Sequence, residues 1–370
     1  MPQSRSAVTT EELRRRIDLL PRVTLGHLPT PLEELKRFSH AIGGQRVFMK
    51  RDDCTGLAFG GNKTRHNEFI LGDALEKGAG MFVWGAGVQS NNCRQTAAAC
   101  ARHGLACHLV LSRHNHHDEV QGNLLLDHVL GATVEIVDAP VGPELDAVLS
   151  EKAEQFRAQG RKVYSWDRKV VKPLAAVSYV LCMVELVEQL AAQAIEPDAI
   201  YVCSAGSTGA GLALAKEALG LNCPLHNILP LRWPWDEQAD IARIANETAE
   251  LLGLHQRLDA DQINANGDYI GPGYGIPTKA GTEAIVLVAR TEGVLLDPTY
   301  TGKAMAAMID HVRKGSHARD QVIVFVHTGG TPALFAYRDE LVEMMPDACG
   351  RQNRNPNIEI RNKFKGSRHK

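Results

Sequence analysis

The feature that most constrains the fold is a regular alternation of short apolar runs with longer amphipathic stretches along the 370-residue chain. Continuous apolar runs of four to six residues predict parallel strands that are covered on both faces. The longer stretches between them predict helices, so the chain forms repeated strand–helix units with right-handed crossovers. We therefore expect an α/β fold built on mostly parallel sheets.

The predicted elements follow one another with short connections. The predicted strands cover residues 47–50, 81–84, 107–111, 133–137, 163–166, 199–203, 227–231, 294–297 and 322–327. The predicted helices cover residues 65–77, 91–103, 119–130, 173–192, 207–219, 237–252, 280–292, 302–314 and 332–343. An early helix is predicted by the capping-box spacing of Thr9 and Glu12. Residues 174–194 form the most apolar long stretch, but Glu185 and Glu188 interrupt it, so we expect a buried helix there.

Composition excludes several classes of protein. The 41 Lys and Arg nearly balance the 43 Asp and Glu, which argues against a histone-like polyanion binder and against disorder. No apolar signal segment is visible, and the eight cysteines form no C-x-x-C pair, so we expect reduced thiols in the cytoplasm. The basic tail at 346–370 lacks a nucleic-acid motif and predicts a solvated segment or an oligomer arm. We expect neither a nucleic-acid nor a membrane partner.

The first candidate functional residue is Lys63. A predicted strand runs into the glycine-rich segment 55–61 and then into a helix, which presents this lysine at a fixed junction. A lysine held in this way loses hydration and can form a Schiff base with an aldehyde. The alternative is an ordinary surface lysine at a helix start, although helix N-termini disfavour cations.

Two further strand-to-helix turns have the composition of anion sites. In segment 85–92, Ser90 is a plausible N-cap before the helix, and such an end attracts a carboxylate or phosphate. In segment 203–211, small residues allow the backbone to wrap an anion, and Ser207 and Thr208 add hydroxyl donors. This second loop is neither G-x-G-x-x-G nor a P-loop, so it predicts a phosphate site of another kind.

The C-terminal part of the chain contributes two loop tyrosines. Tyr274 lies in the segment GYGIP, and Tyr300 lies in DPTYTGK. Phenols flanked by Gly and Pro are placed like acid–base or orienting groups, although either could be a half-buried structural residue. A metal site at His114, His116 and His117 has no Cys or carboxylate at ligand spacing, so we predict no metal.

Taken together, these motifs resemble a known family. The ordered segments LPTPLE, KRDD-x-TGLA-x-GGNKTR, GAGVQSN-x-x-RQTAA, GST-x-AGL, GYGIP, DPTYTGK and HTGGTPALFAY run from about residue 28 to 334. They are similar to those of the pyridoxal-phosphate enzymes of the tryptophan-synthase β type, within the D-cysteine desulfhydrase and 1-aminocyclopropane-1-carboxylate (ACC) deaminase group. The resemblance implies two three-layer α/β/α domains, a homodimer and a small amino-acid substrate.

The resemblance also implies residue roles. Lys63 forms the Schiff base with the cofactor and moves the Cα proton, and Asn91 meets the cofactor 3′-oxygen. The substrate meets Gln89, Ser90, Asn91, Asn92 and Tyr274, with Ser90 and Tyr300 among the catalytic residues. The cofactor phosphate is held by backbone amides and hydroxyls of the loop Ala205, Gly206, Ser207, Thr208 and Gly209. The pyridine nitrogen meets Thr301 or Thr328.

Departures from the family pattern separate its branches. ACC deaminases carry Glu where this chain has Thr301, and a neutral hydroxyl there favours β-elimination in the desulfhydrase branch. The desulfhydrases usually carry His where this chain has Asn92, and the bulky segment 233–235 is also unusual. The identity of the substrate is therefore open, and it includes β-substituted amino acids other than D-cysteine, such as one with a sulfonate leaving group.

The sequence thus predicts a pyridoxal-phosphate-dependent lyase or deaminase that releases a 2-oxo acid and ammonia. ACC deaminase, an L-cysteate sulfo-lyase-like enzyme and an amino-acid racemase stay as alternatives within the family. A non-catalytic nucleotide or amino-acid binding protein is the alternative from another class. We expect a large domain over 1–64 and 173–345, with a smaller domain over 65–172 closing on the substrate.

Overall fold

The fold contains two sheets, as seen in a computed structural model that describes residues 7–113 and 119–345. The larger sheet has six strands in the order β1-β2-β10-β7-β8-β9, and the smaller has four in the order β5-β4-β3-β6. Every neighbouring pair is parallel except β1 with β2. The prediction of an α/β fold with mostly parallel sheets is confirmed.

The elements alternate along the described chain. The strands are β1 Leu32–Glu34, β2 Arg46–Arg51, β3 Met81–Gly87, β4 Ala106–Ser112, β5 Thr133–Val137, β6 Val163–Ser165, β7 Ala199–Cys203, β8 Leu225–Ile228, β9 Ala265–Asn266 and β10 Val322–His327. The helices are α1 Thr10–Ile17, α2 Lys36–Ile42, α3 Asn62–Glu76, α4 Asn91–Arg102, α5 Gly122–Val129, α6 Pro143–Ala158, α7 Arg168–Ala192, α8 Ser207–Leu219, α9 Glu237–Leu251, α10 Lys279–Glu292, α11 Thr301–Arg313, α12 Ala333–Ala336 and α13 Arg338–Met344.

The helix α7 occupies the centre of the larger core. It packs against α8, α3, α9 and α1, and most of its side chains are buried. It is the one described helix long and apolar enough to cross a membrane, yet 89% of its most apolar window is buried inside the protein. The prediction of a buried helix in this stretch is therefore confirmed.

Several predicted boundaries are wrong for identifiable reasons. The helix α7 begins at Arg168, not at residue 173, because the Asp167 side chain caps it by accepting a hydrogen bond from the Lys169 amide at 2.9 Å. Residues 294–297 are extended but pair with no strand in the described chain; His327 Nε2 lies 3.1 Å from the Leu295 carbonyl instead. The capping box at Thr9 is half formed, since Thr9 accepts from the Glu12 amide while the Glu12 carboxylate binds Arg15 and Arg16.

Two sequence hypotheses concern residues that the structure does not describe. His114, His116 and His117 lie outside the described residues, and so does the basic tail from 346. Within residues 7–113 and 119–345, no group of three His, Cys, Asp or Glu side chains is arranged to hold a metal ion.

Candidate active site

The site lies at the carboxyl ends of β3, β7 and β10, where the following loops meet the N-terminal ends of α4 and α8. Carboxyl ends of parallel strands are the usual ligand sites of α/β folds. We call the cavity there the inner compartment, and its volume is about 210 Å³. Its lining includes Asn62, Lys63, His66, Ser90, Asn91, Asn92, Lys172, Ser204, Ala205, Gly206, Ser207, Thr208, Trp233, Tyr274, Tyr300 and Thr328.

Lys63 is presented by a tightly built loop between β2 and α3. Ala58 and Phe59 adopt positive φ values of 44° and 69°, which cost energy for residues with side chains. At Gly61, whose φ is 122°, a Cβ atom would lie 2.8 Å from Gln95 Nε2 and 3.0 Å from the Thr328 carbonyl. A glycine is therefore required there, and the loop sets Lys63 in the second position of α3.

The electrostatic environment of Lys63 favours its neutral form. Burial, together with the positive charge of Lys172, lowers the pKa of Lys63 to about 8. The Lys63 Nζ lies 3.4 Å from His66 Nδ1. Burial and the charges of Lys63 and Arg65 lower the pKa of His66 well below its ordinary value, so this imidazole is neutral. A lysine amine that is partly unprotonated near neutral pH is a competent nucleophile and base.

The N-terminal end of α8 forms an anion cradle beside this lysine. Its first residue follows Gly206, which occupies the N-cap position and has no side chain to cap the helix. Ser204 Oγ accepts from the amides of Gly206 and Gly209, at 3.3 and 2.8 Å, and so closes the loop from behind. The predicted residue Gly209 thus supports the loop and does not line the cavity. The amides at the start of α8 are suited to an anion.

The hydroxyl of Thr208 is arranged as a donor toward the cradle. Its Oγ1 accepts from Asn62 Nδ2 at 3.0 Å and lies 3.2 Å from His66 Nε2. When the Lys63 ammonium donates to His66 Nδ1, the neutral ring carries its hydrogen on Nε2 and can donate it to Thr208. With two donors directed at its oxygen, Thr208 keeps its own hydrogen for a bound acceptor.

A second lysine, which the sequence did not single out, also reaches the cradle. Lys172 is buried on α7, and its Nζ would lie 3.2 Å from a Cβ atom on Gly206. It lies 3.6 Å from the Asp240 carboxylate and 5.7 Å from the Trp233 ring centre. Burial lowers the pKa of Lys172 to about 8 despite the nearby Asp240. The prediction that backbone amides and hydroxyls alone serve this anion site is therefore incomplete.

The role of Lys172 could not be recognised from the sequence for a structural reason. With the helix predicted to begin at residue 173, this lysine belonged to a polar connection with two other basic residues. The observed start of α7 places it inside the helix, where its side chain points into the cleft. Its position four residues after Arg168 was the available signal, since residues at this spacing share a helix face.

At the N-terminal end of α4, Ser90 and Asn91 are held as donors. Ser90 Oγ accepts from the amides of Asn92 and Cys93, at 3.1 and 3.2 Å, which leaves its hydroxyl hydrogen to donate. Asn91 Oδ1 accepts from Arg94 Nη1 at 2.9 Å and from Asn123 Nδ2 at 3.1 Å. Because its oxygen is occupied in this way, the Asn91 side chain can act toward a ligand as a hydrogen-bond donor through its amide nitrogen.

The two neighbours of this pair have different placements. Asn92 lines the inner compartment, as predicted for a substrate contact. Gln89 does not line the inner compartment, and its side-chain amide contacts the start of α5: its Oε1 accepts from the Asn123 amide, and its Nε2 donates to the Gln121 carbonyl. These contacts join Gln89 to Asn123, which also binds Asn91.

Tyr274 and Tyr300 meet at the mouth of the inner compartment. Their hydroxyl oxygens are 2.5 Å apart. Burial raises the pKa of Tyr274, and burial together with Tyr274 raises the pKa of Tyr300 well above its ordinary value. Both phenols are therefore protonated at neutral pH, and the hydrogen bond between them uses one of their two protons.

Two buried charged residues position this pair. Asp297 accepts from the amides of Thr299 and Tyr300, each at 2.9 Å, and so fixes the turn before α11. Lys303 Nζ donates to the carbonyls of Ile270 and Gly273, at 2.7 and 3.0 Å, and ties the Tyr274 loop to α11. Both lie in the DPTYTGK segment, but their contacts are long-range and could not be read from it.

The two threonines predicted to meet the pyridine nitrogen have different environments. Thr301 is buried, its hydroxyl donates to Asp297 Oδ1 at 2.7 Å, and it accepts from the Asp297 amide at 2.8 Å. It does not line the inner compartment, whereas Thr328 does. The geometry therefore leaves Thr328 as the hydroxyl available to a ligand.

Comparison with known proteins agrees with this arrangement. Residues 23–329 match the model of the family described as "Pyridoxal-phosphate dependent enzyme". The chain is 40% identical over 327 residues to a 1-aminocyclopropane-1-carboxylate deaminase of Burkholderia ambifaria, covering 86% of this chain and 97% of that one. It is 38% identical over 323 residues to a D-cysteine desulfhydrase of Salmonella typhi, covering 86% and 96%.

A solved structure supports the same relationship. The crystal structure of an ACC deaminase homologue superposes with a TM-score of 0.82 at 34% sequence identity. The match covers 90% of this chain and 99% of that chain. The likeness therefore extends through both sheets.

Proposed function

The chain belongs to the family of pyridoxal-phosphate dependent enzymes, and from this premise we propose that it catalyses β-elimination from a β-substituted amino acid. It is a pyridoxal-phosphate dependent lyase or deaminase. In the proposed reaction, the Cα–H bond and the bond from Cβ to its substituent break, one water molecule is consumed, and the products are a 2-oxo acid, ammonia and the protonated leaving group. The observation that carries the proposal is the half-buried Lys63 amine beside the anion cradle of α8.

The residues present fit the cofactor. Its phosphate needs amide and hydroxyl donors and room for close approach, and the start of α8 after Gly206 offers both. Thr208 and Lys172 add a hydroxyl donor and a cation. Lys63 faces the same cavity and would hold the cofactor aldehyde, while Thr328 would meet the ring nitrogen.

The proposed mechanism assigns the Cα proton to Lys63. Bound pyridoxal phosphate supplies an electron-withdrawing ring that accepts electron density when the Cα–H bond breaks. The lowered pKa of Lys63, about 8, allows its amine to accept that proton near neutral pH and its ammonium to return one. Ser90 and Asn91 orient the substrate through their donor hydrogens, which suit carboxylate and phenolate oxygens.

The tyrosine pair would stabilise the leaving group. A departing thiolate or other anion carries away the electron pair of its bond to Cβ, and hydrogen bonds stabilise it until solvent supplies a proton. Burial raises the pKa of both Tyr274 and Tyr300, so both stay protonated and the pair can direct a phenolic hydrogen at that anion. The neutral Thr301 at the family's Glu position supports elimination over ring opening.

The direct test is a screen for 2-oxo-acid release. Purified enzyme is given D- and L-forms of cysteine, cysteate and β-chloroalanine, and pyruvate is measured with ammonia. We expect equal amounts of the two products from at least one enantiomer, and none from the Lys63→Ala variant. The matched control Lys169→Ala alters an exposed lysine on α7 and retains activity. The absence of pyruvate from the whole panel contradicts the proposal.

ACC deaminase activity is a second candidate because a relative at 40% identity carries that name. It is distinguished by 2-oxobutyrate released from ACC. We expect no such product, because Thr301 provides no acid at the position after Tyr300. Formation of 2-oxobutyrate at a rate matching or exceeding pyruvate formation favours the deaminase.

We also infer that the enzyme acts in the cytoplasm as a homodimer. The free state of all seven described cysteines supports the first inference, and the family resemblance supports the second. Cell fractionation and sedimentation measurements test them. Recovery in an exported fraction, or a monomer at micromolar concentration, contradicts them respectively.

A further inference from the structure

A second cavity continues outward from the inner compartment. We call it the outer compartment; its volume is about 420 Å³, twice that of the inner one. Volumes of roughly 300–1,000 Å³ are typical of pockets for drug-sized ligands. The two compartments share six lining residues, namely Asn91, Val141, Leu231, Trp233, Tyr274 and Tyr300. A molecule can therefore extend from one into the other.

The outer compartment is apolar and aromatic on most sides. Val88 and Ile270 contribute aliphatic surface, and its three tyrosines and one tryptophan contribute ring faces and edges. Three prolines, Pro140, Pro234 and Pro272, complete much of the wall. Such a lining gains free energy when it covers apolar surface and offers little to a small charged ligand.

Charge is confined to the rim of this compartment. Arg232 is the only charged residue among its described lining residues. The Arg232 side chain is 62% exposed and lies 3.8 Å from the Glu237 carboxylate, so it is a solvated group. A second carboxylate or sulfonate on the substrate would therefore find no buried cation among the lining residues that the structure describes.

The tyrosine pair marks the boundary where a leaving group would sit. Tyr274 and Tyr300 line both compartments, and the mechanism proposed above places the β-substituent beside them. Cysteine and ACC carry no atoms beyond this point that could fill the outer cavity. A substituent attached through sulfur would continue past the tyrosines and into it.

We propose that the preferred substrate is a cysteine S-conjugate whose sulfur carries an apolar, ring-sized group. The inference rests on the proposed β-elimination and specifies its leaving group. The Cα–H electron pair forms the Cα=Cβ bond, the C–S pair leaves with sulfur as a thiolate that accepts a hydrogen bond from the tyrosine pair, and the thiolate takes its proton from solvent. Water then replaces the amine, so that one S-conjugate and one water yield one thiol, one pyruvate and one ammonium ion.

The test compares S-phenylcysteine with cysteine, each as separate enantiomers. Pyruvate release gives kcat/KM for both, and we expect the S-phenyl compound to exceed cysteine at least about tenfold, since a ring buried on an apolar lining contributes at least that factor. Homophenylalanine, which has CH2 in place of sulfur and no leaving group, should inhibit the cysteine reaction more tightly than alanine. This binding measurement does not depend on elimination of the conjugate.

A designed variant reports on the compartment itself. A Cβ atom on Gly87, the last residue of β3, would lie 4.0 Å from the Tyr274 ring and 4.0 Å from Val141, so a side chain there enters the cavity without a clash. Gly87→Val should lower the ratio of kcat/KM for S-phenylcysteine to that for cysteine at least about tenfold. Gly80→Val, at the open start of the same strand, is the control and should leave the ratio unchanged.

The outcomes separate this inference from the proposed function. Pyruvate from cysteine but not faster from S-phenylcysteine, with no preference for homophenylalanine over alanine, overturns the S-conjugate inference and leaves β-elimination standing. No pyruvate from any substrate overturns the proposed function itself. If Gly87→Val does not fold, the wild-type comparison of the two substrates decides the matter.

Discussion

At the scale of single residues, three cleft side chains share one design. The oxygens of Ser90, Asn91 and Thr208 already accept hydrogen bonds from the protein, so each side chain has only hydrogens left to offer. Such prearranged donors suit a ligand rich in oxygen atoms and negative charge. Their orientation depends on partners distant in sequence, such as Asn123 for Asn91 and Asn62 for Thr208.

The Thr208 hydroxyl offers a clean test of this design. Thr208→Val keeps the shape but removes the donor, and we expect the dissociation constant of pyridoxal phosphate to rise about tenfold or more, as for a lost hydrogen bond to a charged group. Thr208→Ser keeps the hydroxyl and should change it little. Titration of the apoenzyme by absorbance measures both. Weakening in Thr208→Ser but not in Thr208→Val would show that the methyl packing matters and the hydroxyl does not.

The lowered pKa of Lys63 predicts a specific pH dependence. Only the neutral amine attacks an aldehyde, and a pKa of about 8 leaves roughly a tenth of the amine neutral at pH 7. The rate at which apoenzyme reacts with pyridoxal, which lacks the phosphate, should therefore rise with pH and level off above about 8. A midpoint near that of an unperturbed lysine would contradict the environment described for Lys63.

At the scale of elements, helix starts carry the chemistry. Lys63, Asn91 and Ser207 each begin or nearly begin a helix, and Tyr300 immediately precedes one. Each of these helix starts follows a strand or loop that the sequence predicted. The sequence also predicted the alternation of strands and helices. It did not predict α6, although Pro143 at the helix start and Glu144 and Asp146 in the first turn are local helix signals. The six-strand order could not be predicted because it depends on packing between distant segments.

The same limit applies to the candidate site. The motifs identified Lys63, Ser90 and the two tyrosines because glycine-rich turns mark where backbone and ligand approach closely. They did not identify Lys172, which has no motif around it and enters the cleft only because α7 begins early. They assigned Thr301 to the cofactor because its contact with Asp297 is invisible without the turn geometry.

The loop holding Tyr274 should behave as one unit with α11. Lys303→Met removes the two bonds from α11 to the carbonyls of this loop, and we expect kcat to fall about tenfold with a smaller change in KM. If Lys303 acts by positioning Tyr274, its effect largely disappears in a Tyr274→Phe background. Additive effects of the two substitutions on kcat/KM would show that Lys303 acts independently of the tyrosine.

At the scale of the whole molecule, a buried ionic network joins the site to the core. Arg65, two residues after Lys63, contacts the Asp52 carboxylate at 2.8 Å and the Glu185 carboxylate at 2.7 Å. Lys50 adds a contact to Glu185 at 3.0 Å. The network links β2, α3 and α7, so the position of Lys63 depends on the packing of the larger core.

This network predicts both stability and its pH dependence. Removing one partner of a buried ion pair costs about 3–5 kcal/mol, so Glu185→Gln should lower the free energy of unfolding by about that amount. Burial opposes ionisation of Glu185 and Asp52, but Arg65 and Lys50 outweigh it and hold the pKa of each carboxyl below its ordinary value. Their stabilisation is therefore present above the unfolded-state pKa and is lost as pH falls through the folded-state value.

Denaturant unfolding between pH 7 and the acid range measures this effect. The wild type should lose stability on acidification, and Glu185→Gln should lose less because one of the two carboxyls is absent. Glu188→Gln, which alters an exposed neighbour on α7, is the control and should follow the wild type. Identical acid profiles for wild type and Glu185→Gln would show that the network does not govern acid stability.

The most direct test of the account is to locate the cofactor covalently. The cleft contains two lysines, Lys63 and Lys172, each with a pKa lowered to about 8, so either amine could react with an aldehyde. Borohydride reduction of the holoenzyme, followed by proteolysis and mass spectrometry, identifies the lysine that carries the pyridoxyl group. We predict the label on Lys63, with Lys172 unmodified; label on Lys172, or on neither lysine, would contradict the account.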